Sequence, residues 1–274
     1  MRAPRLASVV QRRLLVNYRT DPEVTARLLP APLRPQVVDG WAVSGICLIR
    51  LGNVRPAFVP APAGPLPFGL LPFGLLPFGL LPFGLLPFGW RSENGAHRVA
   101  VEWDTPGGVA YGVYIPRRDT GSRLNAWAGG RVFPGRHHRS RFDVRESADE
   151  LRIAFGDDVR VDVHARTAAD LSASQVFGSV GQASEFFRRG AAGFSVTPDP
   201  GRLDGIELSV EDWQVTPVDL VSVRSSFFDD PDRFPPGSAV PDCALLMRDV
   251  AAVWNPLPSM TVSPIGGSVA TLAR

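Results

Sequence analysis

Strand-length runs separated by turn signals constrain the fold of this chain more than any other feature. Residues 97–104 and 109–115 flank a Thr-Pro-Gly-Gly turn at 105–108, and Gly-Asp-Asp at 156–158 joins a second pair of runs. Alternation in the first run predicts a strand with an apolar and a polar face. The apolar face comprises Val99, Val101 and Trp103, and the polar face comprises Arg98, Glu102 and Asp104. The sequence therefore predicts two β-hairpins.

The rest of the chain adds strands and only short helices. Further strands are predicted at 41–51, 206–215, 218–228 and 239–250. Asp21 followed by Pro22 is typical of a helix start, and this helix is predicted to continue to Leu29. A second short helix is predicted at 182–189. Many paired strands with few helices predict a mainly β (α+β) fold, as a large antiparallel sheet or barrel. No Gly/Ser linker divides the chain, so a single domain over residues 1–274 is expected.

Residues 66–90 are a five-fold tandem repeat of Leu-Pro-Phe-Gly-Leu whose last copy ends at Trp90. No charge occurs between Pro56 and Trp90, so hydropathy alone would suggest a membrane span. Proline at every fifth position removes backbone donors, and unpaired backbone is costly in hydrocarbon, so an integral membrane helix is rejected. Leu-Pro-Phe-Gly instead fits a type I turn. The repeat is interpreted as a loop expansion. An apolar loop that contacts a partner or membrane surface is the alternative.

The basic residues limit the chemistry that is available. All 29 basic side chains are arginine, and the chain has no lysine. Lysine can lose its proton and attack a carbonyl, whereas arginine stays charged. Schiff-base catalysis by a lysine, pyridoxal phosphate attachment and a P-loop lysine are therefore excluded.

Composition and motifs give several expectations about partners. The net charge of +2 is too small to indicate nucleic acid. The N-terminal residues contain no secretory signal, so a cytoplasmic location is expected. Cys47 and Cys243 are expected to be buried free thiols, with a disulfide or a nucleophile as alternatives. Metal-ligand spacings and phosphate-binding glycine motifs are missing, so neither a metal nor a cofactor is expected. A homo-oligomer is compatible with the sequence.

Residues 116–145 are the most unusual segment, with eight arginines, the pair His137-His138 and only two acids. If residues 137–145 form one strand, His137 lies on a row with arginines, and His138 lies on the apolar side with Phe142. The arginine row is then interpreted as a solvated face, with a nucleic-acid surface as the alternative.

Seven residues of the chain are candidates for a site. The acid–base candidates are His138 and Glu102, because imidazole and carboxylate groups can transfer protons. The anion-binding candidates are Arg117, Arg118, Asp119, Arg123 and Arg131. Guanidinium groups hold carboxylates or phosphates through paired hydrogen bonds, and Asp119 could orient them. A structural ion-pair cluster is the alternative for these residues.

Three long stretches carry a family resemblance. They are RLLVNYRTDPEVTARLLPAPLRPQVVDGWAVSGICLIRLGNV at 13–54, FGWRSENGAHRVAVEWDTPGGVAYGVYIPRRDTGSRLNAWAGGRVFPGRHH at 88–138 and RSSFFDDPDRFPPGSAVPDCALLMRDV at 224–250. Together they resemble the YqjF-like family of uncharacterised proteins, which is related to acetoacetate decarboxylase. The resemblance implies a cone-like antiparallel β barrel with a central pocket and short flanking helices.

The same resemblance implies where a decarboxylase would carry its lysines. Decarboxylases of this fold have a Lys-Lys pair after a Phe-Pro step, and one lysine forms the Schiff base. The comparable stretch here is Phe-Pro-Gly-Arg-His-His at 133–138, which contains no lysine. The leading hypothesis is therefore a barrel that binds a small, partly apolar anionic metabolite without Schiff-base decarboxylase activity. It would either only bind this ligand or act as a His/Glu acid–base lyase. The alternative is a structural or interaction protein with a vestigial pocket, in which the repeat contacts a partner or membrane.

Overall fold

A computed structural model describes residues 4–59, 91–131, 133–171 and 173–263 of the protein. The repeat at 66–90, and with it the predicted loop expansion, lies outside these residues. Within them, no helix is both long and apolar enough to cross a membrane.

Seven long strands close into a barrel. In chain order they are β1 (Leu6–Thr20), β4 (Trp41–Pro56), β5 (Ser92–Thr105), β6 (Gly108–Thr120), β11 (Ala192–Val196), β12 (Arg202–Val210) and β14 (Ala239–Thr261). The ring closes because β1 pairs with β4 on one side and with β14 on the other. All its neighbours are antiparallel except β6 and β11, which run parallel. The predicted mainly β barrel is confirmed.

The remaining elements cover the barrel. The other strands are β2 (Arg34–Pro35), β3 (Val37–Val38), β7 (His137–Arg139), β8 (Phe142–Glu146), β9 (Glu150–Gly156), β10 (Arg160–Thr167) and β13 (Thr216–Ser225). The helices are α1 (Pro22–Ala26), α2 (Arg123–Ala128) and α3 (Val180–Arg189). Strands β13, β10, β9 and β8 continue the sheet beyond β14 and fold back over the barrel. Leu14 and Ile46 on the outside of the barrel pack into one core with Ile153 and Val163 of this outer layer.

Helix α3 packs against side chains that point into the barrel. Phe186 and Phe187 share a buried cluster with Leu15 of β1 and Leu245 of β14. The helix begins at Ser179, whose hydroxyl accepts a hydrogen bond from a backbone N–H of the first turn. One side of the barrel interior is thereby filled with apolar groups, and the remaining space forms a cavity.

Local patterns predicted most strands, with some differences in extent. The hairpin of β5 and β6 and that of β9 and β10 are both present. Asp21 caps α1 as predicted, but α1 ends at Ala26 rather than at Leu29. The single strand predicted at 137–145 is wrong, because it is divided into β7 and β8, which pair with different neighbours. Residues 116–120 continue β6, which ends at Thr120.

Candidate functional site

A cavity of about 150 Å³ lies inside the barrel. Side chains of β1, β4, β5, β6, β12 and β14 line it, together with the segment around His137. Alternation along each strand decides which side chains reach it. On β1, Arg13 lines the cavity, whereas its neighbour Arg12 lies on the outer face of the barrel with Glu93 and Glu146.

A bulge in β6 decides which residue of the Arg117-Arg118 pair points inward. His97 pairs with Arg117 and Val99 with Tyr114, so β6 contains one residue more than β5 over this stretch. Pro116 lies in the extra length, and proline is accommodated at bulges because it lacks a backbone donor. The bulge reverses the alternation, so Ile115 and Arg118 both line the cavity.

Arg98 is the most buried arginine in the cavity wall, with only 4% of its surface exposed. It donates a hydrogen bond to Oδ1 of Asn17, and its guanidinium carbon lies 4.8 Å from the ring centre of Phe187. Its Nε has no hydrogen-bond partner among the described residues. Burial lowers the pKa of Arg98 to about 10, with a smaller contribution from the nearby charge of Arg13. This pKa still leaves the guanidinium charged at neutral pH.

Arg118 and Arg13 complete a cationic wall. Nε of Arg118 donates to Oγ of Ser195 at 2.8 Å, and burial lowers the Arg118 pKa to about 10. Arg13 lies over the ring of Trp213, with 5.5 Å from its guanidinium carbon to the ring centre. Three positive charges therefore border one small cavity.

None of these three arginines forms an ion pair with a described carboxylate. All 27 acidic side chains of the sequence lie within the described ranges, so no other Asp or Glu is available to neutralise them. Asp119 also lines the cavity, but Arg117 binds it at 2.9 Å and Ser140 donates to it at 3.0 Å. A buried charge is costly without a counter-charge. The arrangement is therefore one that an anionic ligand would complete.

His137 adds a neutral imidazole to the polar side of the cavity. Its Nδ1 lies 3.1 Å from the carbonyl oxygen of Gly135. A carbonyl only accepts, so Nδ1 carries the proton and Nε2 of the neutral ring is an acceptor. Burial, helped by the charge of Arg118, lowers the pKa of His137 to about 3. The ring is thus uncharged at neutral pH.

Two amides join the polar wall to helix α2. Asn125 donates to Oδ1 of Asn94 at 3.3 Å and to Oγ of Ser92 at 3.2 Å. Thr120 at the end of β6 also donates to Oδ1 of Asn94, at 2.8 Å. These bonds hold the cavity-lining amides in a fixed orientation.

The rest of the cavity wall is largely apolar. Leu6 of β1 and Leu208 of β12 both pair with Trp254 of β14, and all three line the cavity. Ile206 and Val113 extend this surface on the strands nearby. The cavity therefore has a cationic side and an apolar side, which suits a ligand with a charged group and a small hydrocarbon part.

The structure brings two of the seven predicted site residues, Arg118 and Asp119, to the cavity. Arg117 is buried outside it, paired with Asp119 and, at 3.7 Å, with Asp158. His138 is half-buried beside Asp119 in the β6–β7 register, and burial, followed by the charge of Arg117, lowers its pKa.

The other three predicted residues lie further away. Glu102 accepts a hydrogen bond from Arg34 at 3.2 Å and is not among the cavity-lining residues. Arg123 on α2 and Arg131 just after it are exposed. Arg131 donates to the carbonyl of Trp127 at 2.6 Å. The seven candidates therefore do not form one site.

Three cavity residues with basic side chains were not among the sequence candidates: Arg13, Arg98 and His137. Arg13 follows Gln11 and Arg12 and precedes the apolar residues Leu14 and Leu15. No local pattern separates it from Arg12, which lies on the outer face. Arg98 was assigned to the polar face of its strand with Glu102 and Asp104. Alternation shows which residues share a face, but it does not show whether that face encloses a cavity. Among the described residues, no group of three or more His, Cys, Asp or Glu side chains could hold a metal ion.

Comparison with known proteins gives a match in structure alone. No protein-family model matches the sequence, and no curated protein matches it significantly. The acetoacetate decarboxylase of Legionella pneumophila superposes with a TM-score of 0.55 at 12% identity, covering 96% of this chain and 88% of that chain. The chain has the acetoacetate decarboxylase-like fold.

Two further enzymes share this fold. An acetoacetate decarboxylase-like enzyme from Sphingomonas wittichii RW1 has a TM-score of 0.58 at 12% identity, over 96% of this chain and 95% of that one. The enduracididine biosynthesis enzyme MppR, in complex with pyruvate, has a TM-score of 0.54 at 13% identity, over 96% and 92%. At identities this low, the structural match establishes only the fold of the acetoacetate decarboxylase-like barrel. Its activity has to be argued from the cavity.

Proposed function

We propose that this protein binds a small, partly apolar carboxylate in the barrel cavity, without Schiff-base decarboxylase activity. The observation that carries the proposal is the group of Arg13, Arg98 and Arg118, which borders one cavity and lacks carboxylate partners in the described structure. Charge-assisted hydrogen bonds from arginine suit carboxylate oxygens. The apolar part of the cavity wall would take the rest of the ligand.

The size of the cavity limits the ligand. An apolar cavity of about 150 Å³ is known to hold benzene, so a ligand of about six non-hydrogen atoms suits a space of this volume. MppR has been solved with pyruvate, which is a ligand of this size and charge. Pyruvate is therefore the first probe to test on this chain.

Binding is better supported than acid–base catalysis. No lysine is present to form an iminium. An imidazole with a pKa of about 3, as at His137, is a weak base near neutral pH. Glu102 and His138 do not line the cavity. The YqjF-like relationship, the single domain over 1–274 and the cytoplasmic location stay predictions from the sequence.

Calorimetric titration with pyruvate tests the proposal, with the uncharged methyl ester of pyruvate as the ligand control. Pyruvate should bind, and the ester should bind more weakly. Arg118→Met should weaken pyruvate binding about tenfold to a hundredfold, since a charged hydrogen bond contributes about 1.5–3 kcal/mol. Arg123→Met removes an exposed arginine of α2 and should leave affinity unchanged. Equal affinities for pyruvate and its ester would contradict the proposal.

A further inference from the structure

Cys47 is a thiol in the wall of the cavity. It lies on β4 and pairs with Ala96 of β5, which in turn pairs with Arg118 of β6. Neighbouring strands are about 4.8 Å apart, so Cys47 and Arg118 lie two strands apart in one row. Only the small side chain of Ala96 stands between them, and all three residues line the cavity. Cys47 is a free thiol and is only partly buried.

Arg98 gives an independent reason to expect a ligand beside this thiol. It is two residues along β5 from Ala96 and therefore on the same face of the strand. Its side chain is more than nine-tenths buried, lines the same cavity and has an Nε without a hydrogen-bond partner in the described structure. Arg98 and Arg118 line the same cavity as the Cys47 thiol. An anion drawn to these arginines would lie next to Cys47.

Cys243 provides a contrast within the same chain. It is buried, and its sulfur accepts a hydrogen bond from Nδ2 of Asn17 at 3.6 Å. Burial, together with the nearby charge of Asp242, raises its pKa to about 12. A buried thiol of this kind is inert. The protein therefore contains one accessible and one inaccessible cysteine.

We propose that Cys47 is a nucleophilic site that captures electrophiles bearing a carboxylate, with 2-oxo acids as the reversible ligand class. The proposal rests on the proposed function, because the arginines must first hold the carboxylate. A 2-oxo acid has its carbonyl carbon bonded directly to its carboxylate. Binding of the carboxylate therefore brings an electrophilic carbon close to the cationic wall that contains the thiol.

The chemistry needs no further reactant. The Cys47 sulfur forms a bond to the carbonyl carbon, the π bond of the carbonyl breaks, and the thiol proton ends on the carbonyl oxygen. The product is a hemithioketal, and the reverse steps release the 2-oxo acid and the thiol. With iodoacetate, the sulfur displaces iodide instead, and the thiol proton passes to the buffer.

Competing alkylation measures the preference for a carboxylate. The full chain is treated with iodoacetate or with neutral iodoacetamide, and labelling at each cysteine is followed by peptide mass spectrometry. The rate with iodoacetate divided by the rate with iodoacetamide does not depend on the ionised fraction of the Cys47 thiol, because the same thiolate attacks both reagents. In the folded protein, this iodoacetate-to-iodoacetamide ratio at Cys47 should be about tenfold or more higher than in the urea-unfolded chain. The reason is that the positive field of the arginines concentrates anions in the cavity. Cys243 should remain unlabelled until the protein unfolds.

Two variants and a competitor complete the test. Cys47→Ser should abolish labelling in the folded state, and Cys243→Ser should leave it intact. Pyruvate should slow iodoacetate labelling of Cys47. With [2-¹³C]pyruvate, a tetrahedral carbon signal should appear in the wild type and in Cys243→Ser, and be missing from Cys47→Ser.

The outcomes separate this inference from the proposed function. One outcome is that calorimetry shows pyruvate binding, but Cys47 has no preference for iodoacetate or forms no tetrahedral carbon with pyruvate. In that case the covalent site is refuted and carboxylate binding stands. If pyruvate does not bind and both reagents label Cys47 with the ratio of the unfolded chain, both proposals are refuted. Labelling of Cys243 as fast as Cys47 in the folded protein would also overturn the inference.

Discussion

Two groups of arginines lie on opposite faces of the barrel wall and have opposite surroundings. The outer group contains Arg12, Arg50 and Arg248, which share the carboxylates of Glu93 and Glu146. The inner group contains Arg13, Arg98 and Arg118, which border the cavity and form no ion pair with a described acid. Arg12 and Arg13 are adjacent in sequence, yet they belong to different groups.

The function of a buried arginine in this barrel depends on what neutralises its charge. In the outer group, carboxylates from β5 and β8 bind arginines of β1, β4 and β14, so the charges join the barrel to its outer layer. In the inner group, the described residues provide no carboxylate within ion-pair distance. The first group should therefore contribute to stability, and the second should contribute to ligand binding.

The largest expected effect is on stability, from Arg12→Met. Arg12 is 1% exposed and is bonded to both Glu93 and Glu146, so its removal leaves two partly buried carboxylates with fewer partners. The free energy of unfolding should fall by about 3 kcal/mol, measured by urea denaturation. Arg13→Met is the matched control, one residue away on the other face, and should cost much less. Equal losses for the two variants would remove the distinction between the groups.

A smaller effect, on affinity, is expected from Arg98→Met. The variant removes a buried guanidinium that has no carboxylate partner, so the free energy of unfolding should change by less than about 1 kcal/mol. Pyruvate affinity should fall at least about tenfold, as loss of a charged hydrogen bond predicts. Calorimetry and urea denaturation of the same sample measure both quantities. A variant that unfolds more easily but binds normally would place Arg98 in the structural group.

The outer group should also make the stability of the protein depend on pH, through Glu146. Burial acts to raise the pKa of Glu146, but the hydrogen bond from Arg248 and the charge of Arg12 outweigh it, and the pKa is lowered below the usual 4.5. A carboxylate whose pKa is lower in the folded state stabilises the protein above its unfolded pKa, and this stabilisation is lost as the pH falls through the folded value.

The stability difference between wild type and Arg248→Met should therefore be largest at neutral pH. It should shrink as the pH falls below about 4.5, because protonated Glu146 no longer attracts Arg248. Urea midpoints measured between neutral and acidic pH provide the test. A difference that stays constant over this range would show that Arg248 acts through packing rather than charge.

The smallest effect is expected from Glu102→Gln. Glu102 accepts from Arg34, a partly exposed arginine that also binds the exposed Asp104. Exposed ion pairs contribute little to stability. Pyruvate affinity should be unchanged, because Glu102 is not a cavity residue. Weaker pyruvate binding in this variant would extend the site beyond the cavity wall.

Features governed by neighbouring residues were predictable from the sequence. The Thr-Pro-Gly-Gly turn fixed the hairpin of β5 and β6, and Asp21 before Pro22 fixed the start of α1. Strand β1 was not predicted, because it is covered on both faces. Leu14 packs against the outer layer and Leu15 against the cluster of α3, so hydrophobic residues do not alternate with polar ones.

A mainly β fold and the lack of a lysine that could form a Schiff base both follow from the amino-acid sequence alone. The sequence could not determine which face of a strand encloses space, because alternation has the same period whichever face is inside. Closure of β1 onto β14 made that choice. The bulge at Pro116 then decided that Arg118, and not Arg117, lines the cavity. Ring closure and bulge position both depend on pairing between strands that are distant in sequence. The arginines that join the barrel to its outer layer could therefore be distinguished from those that face its interior only in the folded structure.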